Sequence, residues 1–220
     1  LCDRRQRQMC IRDSLSALMM YQEIIENEPE NFETVKEFSL KIGTALKRME
    51  QLIQSMLKIT RIDAGSISFE KSNYSIPNII NHAISELTTR ADNEKKEIVI
   101  DGDLEQMLYC DIEWTGEAIG NIIKNALDHT DTGGKISISW EQTPAMIRIF
   151  ITDNGHGISQ EDIHHIFKRF YRSKNTSESQ GIGLGLPLAK AIVEGQGGIL
   201  SVQSELLQGT TFTLSFLTES

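Results

Sequence analysis

Apolar residues recur at helical spacing along the first third of the chain and in short alternating runs along the rest, a pattern that predicts two parts. Val35, Phe38, Ile42, Ala45, Met49, Leu52, Met56 and Ile59 follow one another in strict steps of three and four, a sustained heptad seam. Leu46, Ile53 and Leu57 widen that stripe, which suits a bundle better than a two-stranded coil. Upstream, Leu15, Leu18, Met19, Tyr21, Ile24 and Ile25 give a shorter apolar side, with Ser14 as N-cap and Pro29 as the stop. A second helix of roughly 30 residues is about 45 Å long and cannot hide its stripe against the shorter first one. A partner chain completing a four-helix dimer is the natural solution. A monomer that folds this face against its own second part is the competing one. Gly65, after Arg61-Ile62-Asp63-Ala64, closes the second helix.

Beyond Gly65 the period changes. Ile67-Ser68-Phe69-Glu70 alternates as a short strand. Ser75-Ile76-Pro77 opens a helix with proline in its first turn, carrying Ile79, Ile80, Ala83, Ile84 and Leu87. Residues 97–101 and 106–110 read as strands, and Asp111 caps a helix whose apolar face is Ile119, Ile122, Ile123, Ala126 and Leu127. Residues 135–140 and 146–152 form an antiparallel pair around Pro144, and 198–204 and 210–217 are the last strands. The pattern predicts an α+β chain: a helical hairpin over 14–65, then over 66–220 one mixed sheet with a helical layer on one face. Residues 1–13 are polar, basic and without clean periodicity, and read as an atypical segment outside the fold, a frayed terminus or foreign sequence.

The candidate chemistry concentrates between Asp153 and Leu186. Asp153-Asn154-Gly155-His156-Gly157-Ile158 follows an apolar run. A carboxylate just beyond a buried strand is a fixed acceptor for an exocyclic amine such as that of adenine, and the glycines let backbone approach a flat ligand. Phe167-Lys168-Arg169-Phe170-Tyr171-Arg172 comes next, then Gly181-Ile182-Gly183-Leu184-Gly185-Leu186 opening a further helix, where free N–H groups and the helix dipole favour phosphate. Asp-Asn-Gly alone is an ordinary turn; the glycine spacing fits no dinucleotide fingerprint, and no Gly-Lys-Ser/Thr loop occurs. Upstream, Asn121 and Asn125 stand four apart and share one helix face. Asparagine is a mediocre helix former. The pair is either a set of solvated amides or hard oxygen ligands for Mg²⁺ shared with substrate phosphates.

Composition narrows the class. The 220 residues are 39% hydrophobic and 24% charged, with a net charge of -9 and no long basic run, which argues against a nucleic-acid surface. Cys2, Cys10 and Cys110 form no Cys-x-x-Cys pair, as expected of a reducing compartment. No apolar run approaches the roughly 20 residues that span a bilayer. The chain starts at Leu1 without methionine, as expected of a fragment.

In order and spacing, the asparagine box (121–130), first glycine box (153–158), phenylalanine box (167–170), second glycine box (181–186) and Gly209-Thr210-Thr211-Phe212 resemble the sensor histidine kinases over residues 14 to 217. The resemblance implies a two-layer α/β sandwich of the Bergerat (GHKL) ATP-binding type, with a mobile lid at 173–180, behind a dimerising hairpin. It implies ATP and Mg²⁺ as cofactors, a homodimer through 14–65 and a response-regulator receiver domain as partner. The location implied is cytoplasmic, with a membrane anchor only through an upstream region. By the same resemblance Asp153 reads the adenine amine with Thr210. Gly155, Gly157 and Ile158 shape the pocket, and Asn125 and Asn121 hold the metal. Lys124, Phe170, Tyr171 and Arg172 line the site, while Gly181, Gly183, Leu184, Gly185 and Leu186 present backbone to the phosphates. His129 either touches ribose or phosphate or is a polar helix end.

Two departures stand out. Asp128 occupies a position where the family often has a phosphate-binding lysine, and would repel a triphosphate unless it faces away; Lys124 is the expected compensation. The family's acceptor phrase, His-Glu-x-Arg/Lys-Thr-Pro-Leu, aligns with Met9-Cys10-Ile11-Arg12-Asp13-Ser14-Leu15. Met9 stands where the histidine belongs, and a thioether accepts no phosphoryl group. The five histidines (His82, His129, His156, His164, His165) all lie elsewhere. Either the first residues are foreign or the acceptor was lost; the abrupt break before Leu15 favours the former. Competing readings are a related GHKL ATPase or serine kinase, for which Glu117 is the nearest candidate base, and a non-catalytic ATP-sensing dimer.

Overall fold

The computed structural model describes residues 2–173 and 181–218, with side chains described for residue 12 and from residue 14 onward. The expected lid, but for Ser173, lies outside the described residues. By its contacts the chain forms two compact units, Leu1–Leu57 and Lys58–Ser220.

The first unit is a hairpin of α1 (Cys2–Asn27) and most of α2 (Phe32–Asp63). Asn31 turns the corner: its Oδ1 accepts from the backbone N–H of Thr34 at 3.3 Å, and its amide donates to Glu28 at 3.1 Å, an N-cap built at the turn. Tyr21 packs on Phe38 with ring centroids 5.6 Å apart. Met19 (71%), Leu40 (66%) and Leu46 (54%) stay exposed, so a single chain leaves much of the apolar stripe in water. Helix α1 begins earlier than the expected cap at Ser14. Residues 2–13 are helical because no proline or glycine precedes Pro29 and Arg, Gln and Met favour the helix.

The second compact unit takes in the last turns of α2, from Lys58. Lys58 bonds Glu117 at 2.6 Å, Asp63 pairs with Arg169, and Ile62 lies against Gly195. These contacts make the last turns of α2 part of this unit. The expected strand at 67–70 is absent: Phe69 packs edge-on against Trp114 at 5.9 Å, and the Glu70 N–H is taken by Asp111, so no neighbouring strand is engaged. Instead β1 (Ser72–Ser75) pairs with β3 (Met107–Cys110) in a separate two-stranded sheet. The expected helix from 76 is broken at Ser85 and Glu86 into α3 (Ile76–Ile84) and α4 (Leu87–Asn93).

The main sheet runs β2-β4-β5-β7-β6, built from Glu97–Asp101, Lys135–Gln142, Met146–Asp153, Gly209–Leu217 and Ile199–Glu205 in that spatial order. β2 and β4 are parallel and the other neighbours antiparallel. Register stacks the inward side chains in rows. Trp140, Ile149, Leu214 and Leu200 form one, Ile138, Ile151, Phe212 and Val202 the next. Helix α5 (Ile112–His129) lays a fully buried stripe of Ala118, Ile119, Ile122, Ile123, Ala126 and Leu127 into this layer, beside α7 (Gly185–Gly195) with Leu188, Ala189, Ile192 and Val193. The two layers are those the alternating pattern predicts.

Asp111 starts α5 as predicted and does more. One oxygen accepts from Trp114 N–H at 3.2 Å, the other from Glu70 N–H at 2.9 Å, and its own N–H donates to Gln196 at 2.8 Å. The buried Asp111 therefore ties the start of α5 to the chain after α2 and to the end of α7. Asp111→Ala removes a cap and the acceptor of a second, part-buried donor, and is expected to cost roughly 1–2 kcal/mol in urea unfolding of the whole chain. A loss below about 0.5 kcal/mol would contradict this role.

Candidate functional site

The inward rows of the sheet do not end on apolar residues. The last row is Ile136, Asp153, Thr210 and Ser204, so the alternation that buries the core also turns one carboxylate inward. Asp153 is the final residue of β5 rather than the one after it, and is 4% exposed. It accepts from the N–H of Gly155 at 2.9 Å and from the Thr210 backbone. Burial nevertheless dominates and raises its pKa above the ordinary carboxylate value, with those hydrogen bonds and His156 pulling it back. A buried carboxylate whose partners do not fully offset its desolvation is suited to a ligand donor.

The first glycine box wraps this carboxylate. A Cβ on Gly155 would stand 2.2 Å from the His129 carbonyl oxygen and 3.0 Å from Asp153 Oδ1. Only glycine lets this backbone pass between the end of α5 and the carboxylate. Gly157 has φ +69, and a Cβ there would lie 2.0 Å from the Glu205 carbonyl. The Ile158 N–H donates to Ser204 Oγ at 2.7 Å, and that hydroxyl donates to the Gly209 carbonyl at 2.8 Å and contacts Thr210 Oγ1 at 2.9 Å. Ser204 was not singled out from the sequence. Its signal is its register opposite Thr210, which pairing alone reveals.

On α5, Asn121 and Asn125 are half-buried and Lys124 is exposed. Asn121 donates its amide N–H to the Glu117 carbonyl at 2.9 Å, which leaves the oxygen to other partners. That oxygen would lie 3.1 Å from a Cβ on Gly185, so the start of α7 abuts the asparagine box. Leu184 at the N-cap of α7 makes no side-chain cap hydrogen bond, and the first N–H groups of a helix have no partner within it. Leu184 is the N-cap of α7, with Leu186 in its first turn and Gly181 and Gly183 just before it. Gly183 also holds the phenylalanine box, its carbonyl accepting from Phe170 N–H at 2.8 Å; Phe170 is buried with φ 61. No cluster of three or more His, Cys, Asp or Glu able to hold a metal exists among the described residues. The Asn121 oxygen and Asn125 fit Mg²⁺ only as a partial set completed by phosphate and water, which is the usual habit of that ion.

Asp128 does face a partner. Arg90 of α4 donates to it at 2.6 Å and to Glu94 at 2.6 Å. Arg90, rather than the expected Lys124, neutralises this carboxylate; the pairing is long-range in sequence and has no local signal. Burial lowers the pKa of His129, against an upward pull from Asp128, with His156 adding to the lowering, so His129 is neutral at pH 7. Glu117 is bonded to Lys58 at 2.6 Å, which occupies the carboxylate a hydrolytic base would need free. Tyr171 and Ser173 both donate to Asp162, and Arg172 between them is exposed.

The raised pKa of Asp153 has a consequence for stability. A carboxyl raised on folding contributes stability while protonated; the contribution is complete below the unfolded value of about 4 and is lost as pH rises through the folded one. Asp153→Asn carries no charge at any pH. It is expected to melt a few degrees above the unliganded wild type at pH 7, with the difference vanishing as pH approaches 4. A variant that melts lower at pH 7 would contradict this account of the buried charge.

Residues 110–220 match the family described as histidine kinase-, DNA gyrase B- and HSP90-like ATPase. The sensor protein SrrB of Staphylococcus aureus strain N315 is 28% identical over 207 residues, 93% of this chain and 36% of its own length. The chain thus spans about a third of the length of the curated relatives it matches. Among solved structures, the Acinetobacter baumannii histidine kinase AdeS superposes with TM-score 0.78 at 18% identity over 96% of this chain and 98% of its own. Histidine kinase ThkA, in complex with response regulator protein TrrA, gives 0.74 at 19% identity over 99% of this chain and 65% of its own. The chain belongs to the histidine kinase-, DNA gyrase B- and HSP90-like ATPases, and it is similar in sequence to a sensor protein and in fold to histidine kinases.

Proposed function

We propose that this chain is the kinase core of a two-component sensor. It binds Mg-ATP, passes the γ-phosphoryl group to a histidine on the dimer hairpin and then to an aspartate of a response-regulator receiver domain. The observation that carries the reading is the start of α7, where Leu184 supplies no side-chain cap, against the side-chain oxygen of Asn121, in a domain whose sheet ends on the buried Asp153. Phosphoryl transfer asks mainly for positioning and charge neutralisation, and these groups suit that work.

In this reading Asp153 accepts from the adenine amine beside Thr210, and Gly155, Gly157 and Ile158 shape the adenine pocket. The backbone of Gly181, Gly183 and Gly185, with Leu184 and Leu186 behind it, donates to the phosphates, as do Lys124 and Arg172. Phe170 and Tyr171 hold the chain that carries Arg172. Neutral His129 neither attracts nor repels the phosphates and serves as a ribose contact or helix end. Asn125 and Asn121 would hold Mg²⁺, which when bound neutralises phosphate charge. The division into an atypical 1–13, a hairpin over 14–65 and a catalytic domain over 66–220 is part of the proposal. So are homodimerisation through the stripe that leaves Met19, Leu40 and Leu46 exposed, the receiver-domain partner, and a cytoplasmic location with anchoring through a region upstream. Among the described residues no helix is long and apolar enough to cross a membrane.

Met9 favours a second reading, an ATP-sensing dimer that engages a regulator without phosphorylating itself. The hydrolytic ATPase reading is weakened by the Lys58–Glu117 bond. Incubation with γ-labelled ATP separates the first two. The chain as written is expected to take no label, whereas Met9→His with Cys10→Glu, Asp13→Thr and Ser14→Pro is expected to take acid-labile, base-stable label. Label on neither, with Mg-ATP still bound, would overturn the kinase reading in favour of the ATP-sensing dimer.

A further inference from the structure

One charged group beside the site is used by neither the fold's core nor the roles above. Asp162 lies in the short helix α6 (Gln160–Ile163), whose cap Ser159 accepts from the Asp162 N–H at 3.1 Å. This Ser-x-x-Asp phrase is a helix-start signature in the sequence. The side chain does not close the capping box. Its Oδ1 accepts from the Tyr171 hydroxyl, and its Oδ2 from the Ser173 hydroxyl at 2.6 Å. A single carboxylate therefore grips the chain on both sides of Arg172.

Further contacts fix the grip. The Asp162 carbonyl accepts from the N–H of His165 at 2.7 Å and of Ile166 at 3.1 Å, which continues the turn of α6 up to the residue before the phenylalanine box. The His165 ring packs on Tyr171 with centroids 5.4 Å apart and planes tilted 54°. Just before, Phe170 turns the chain through φ 61 and donates its N–H to Gly183. The segment thus leaves a buried, left-handed Phe170 tied to the second glycine box and is caught at once by Asp162. The hydrogen bonds keep Asp162 ionised, its pKa lowered first by Ser173 and then by Tyr171, while the Tyr171 phenol is pushed up to about 12. Charge-assisted bonds of this kind are the strong and directional ones.

We infer that Asp162 is a positioning residue for the phosphate end of the nucleotide site: by holding Tyr171 and Ser173 it sets where Arg172 is presented. The inference rests on the proposal that Arg172 meets phosphate. Asp162 itself touches no nucleotide, since its two oxygens are occupied by the flanking hydroxyls. Removing it should cost the phosphate contact and spare the adenine pocket around Asp153.

The test compares ATP with adenosine, each titrated in the presence of Mg²⁺ onto the whole chain and followed by ligand-observed NMR. Asp162→Ala is expected to weaken ATP about tenfold, the worth of one charge-assisted contact, and to leave adenosine unchanged. Arg172→Ala is expected to do the same, and the double variant to be no weaker than either single one, because both act through one contact. Tyr171→Phe with Ser173→Ala, which leaves the α6 cap in place, is expected to reproduce the loss. Parallel loss of ATP and adenosine in Asp162→Ala, or losses that add to those of Arg172→Ala, would make Asp162 a merely structural residue and overturn the inference. A wild-type chain that binds adenosine and ATP equally overturns the phosphate role of Arg172 and this inference with it. A wild-type chain that binds neither overturns the nucleotide reading itself.

Discussion

Burial of a carboxylate at the end of a hydrophobic sheet face is the constraint on which the rest of the site depends. The rows of Trp140, Ile149 and Leu214 and of Ile138, Ile151 and Phe212 fix strand register, because a slip of one residue would turn every inward side chain outward. Given that register, Asp153 has no choice but to face the core layer. Its two backbone donors only partly offset the desolvation, and its pKa remains raised. The charge is thus a standing cost in the unliganded fold, the kind of local conflict that marks a functional site. The glycine box is a consequence of the same placement, since backbone must thread between the His129 carbonyl and the Asp153 carboxylate with no room for a Cβ.

The opposite wall depends on α5. Its buried stripe fixes the helix rotation, and that rotation leaves Asn121, Lys124, Asn125 and Asp128 on the outward side. Asp111 sets where the helix begins, and Arg90 neutralises Asp128 near its end. The start of α7 then comes against Asn121 with glycine at the contact. Neither helix carries an unusual residue type; the site arises from where two ordinary amphipathic helices stop and start.

Much of this was legible in the sequence because it is periodic or local. The heptad steps of α2, the alternation of β4, β5 and β7, the Asp111 cap and the order of the glycine boxes all depend on near neighbours. What was not legible depends on distant partners. Residues 67–70 alternate like a strand, yet Asp111 takes the backbone donor of Glu70. The early start of α1 follows from the absence of breakers, which the polar composition obscured. The Arg90–Asp128 pair, the Lys58–Glu117 bond and the placement of Ser204 opposite Thr210 join residues far apart in the chain, and no local pattern announces them. The Asp162 phrase carried a visible helix-start signature, but only the structure reveals that its carboxylate is spent on Tyr171 and Ser173.

The central claim is that the buried carboxylate at the end of β5 and the asparagine-box face of α5 make one Mg-ATP site. Isothermal titration of ATP onto the whole chain, with and without Mg²⁺, measures it most directly when run beside Asp153→Ala. The account predicts binding by the wild type that tightens with Mg²⁺ and is abolished in a folded Asp153→Ala. Unchanged binding by that variant would contradict it, because the acceptor around which the sheet, the glycine box and both helices are arranged would then play no part in holding the nucleotide.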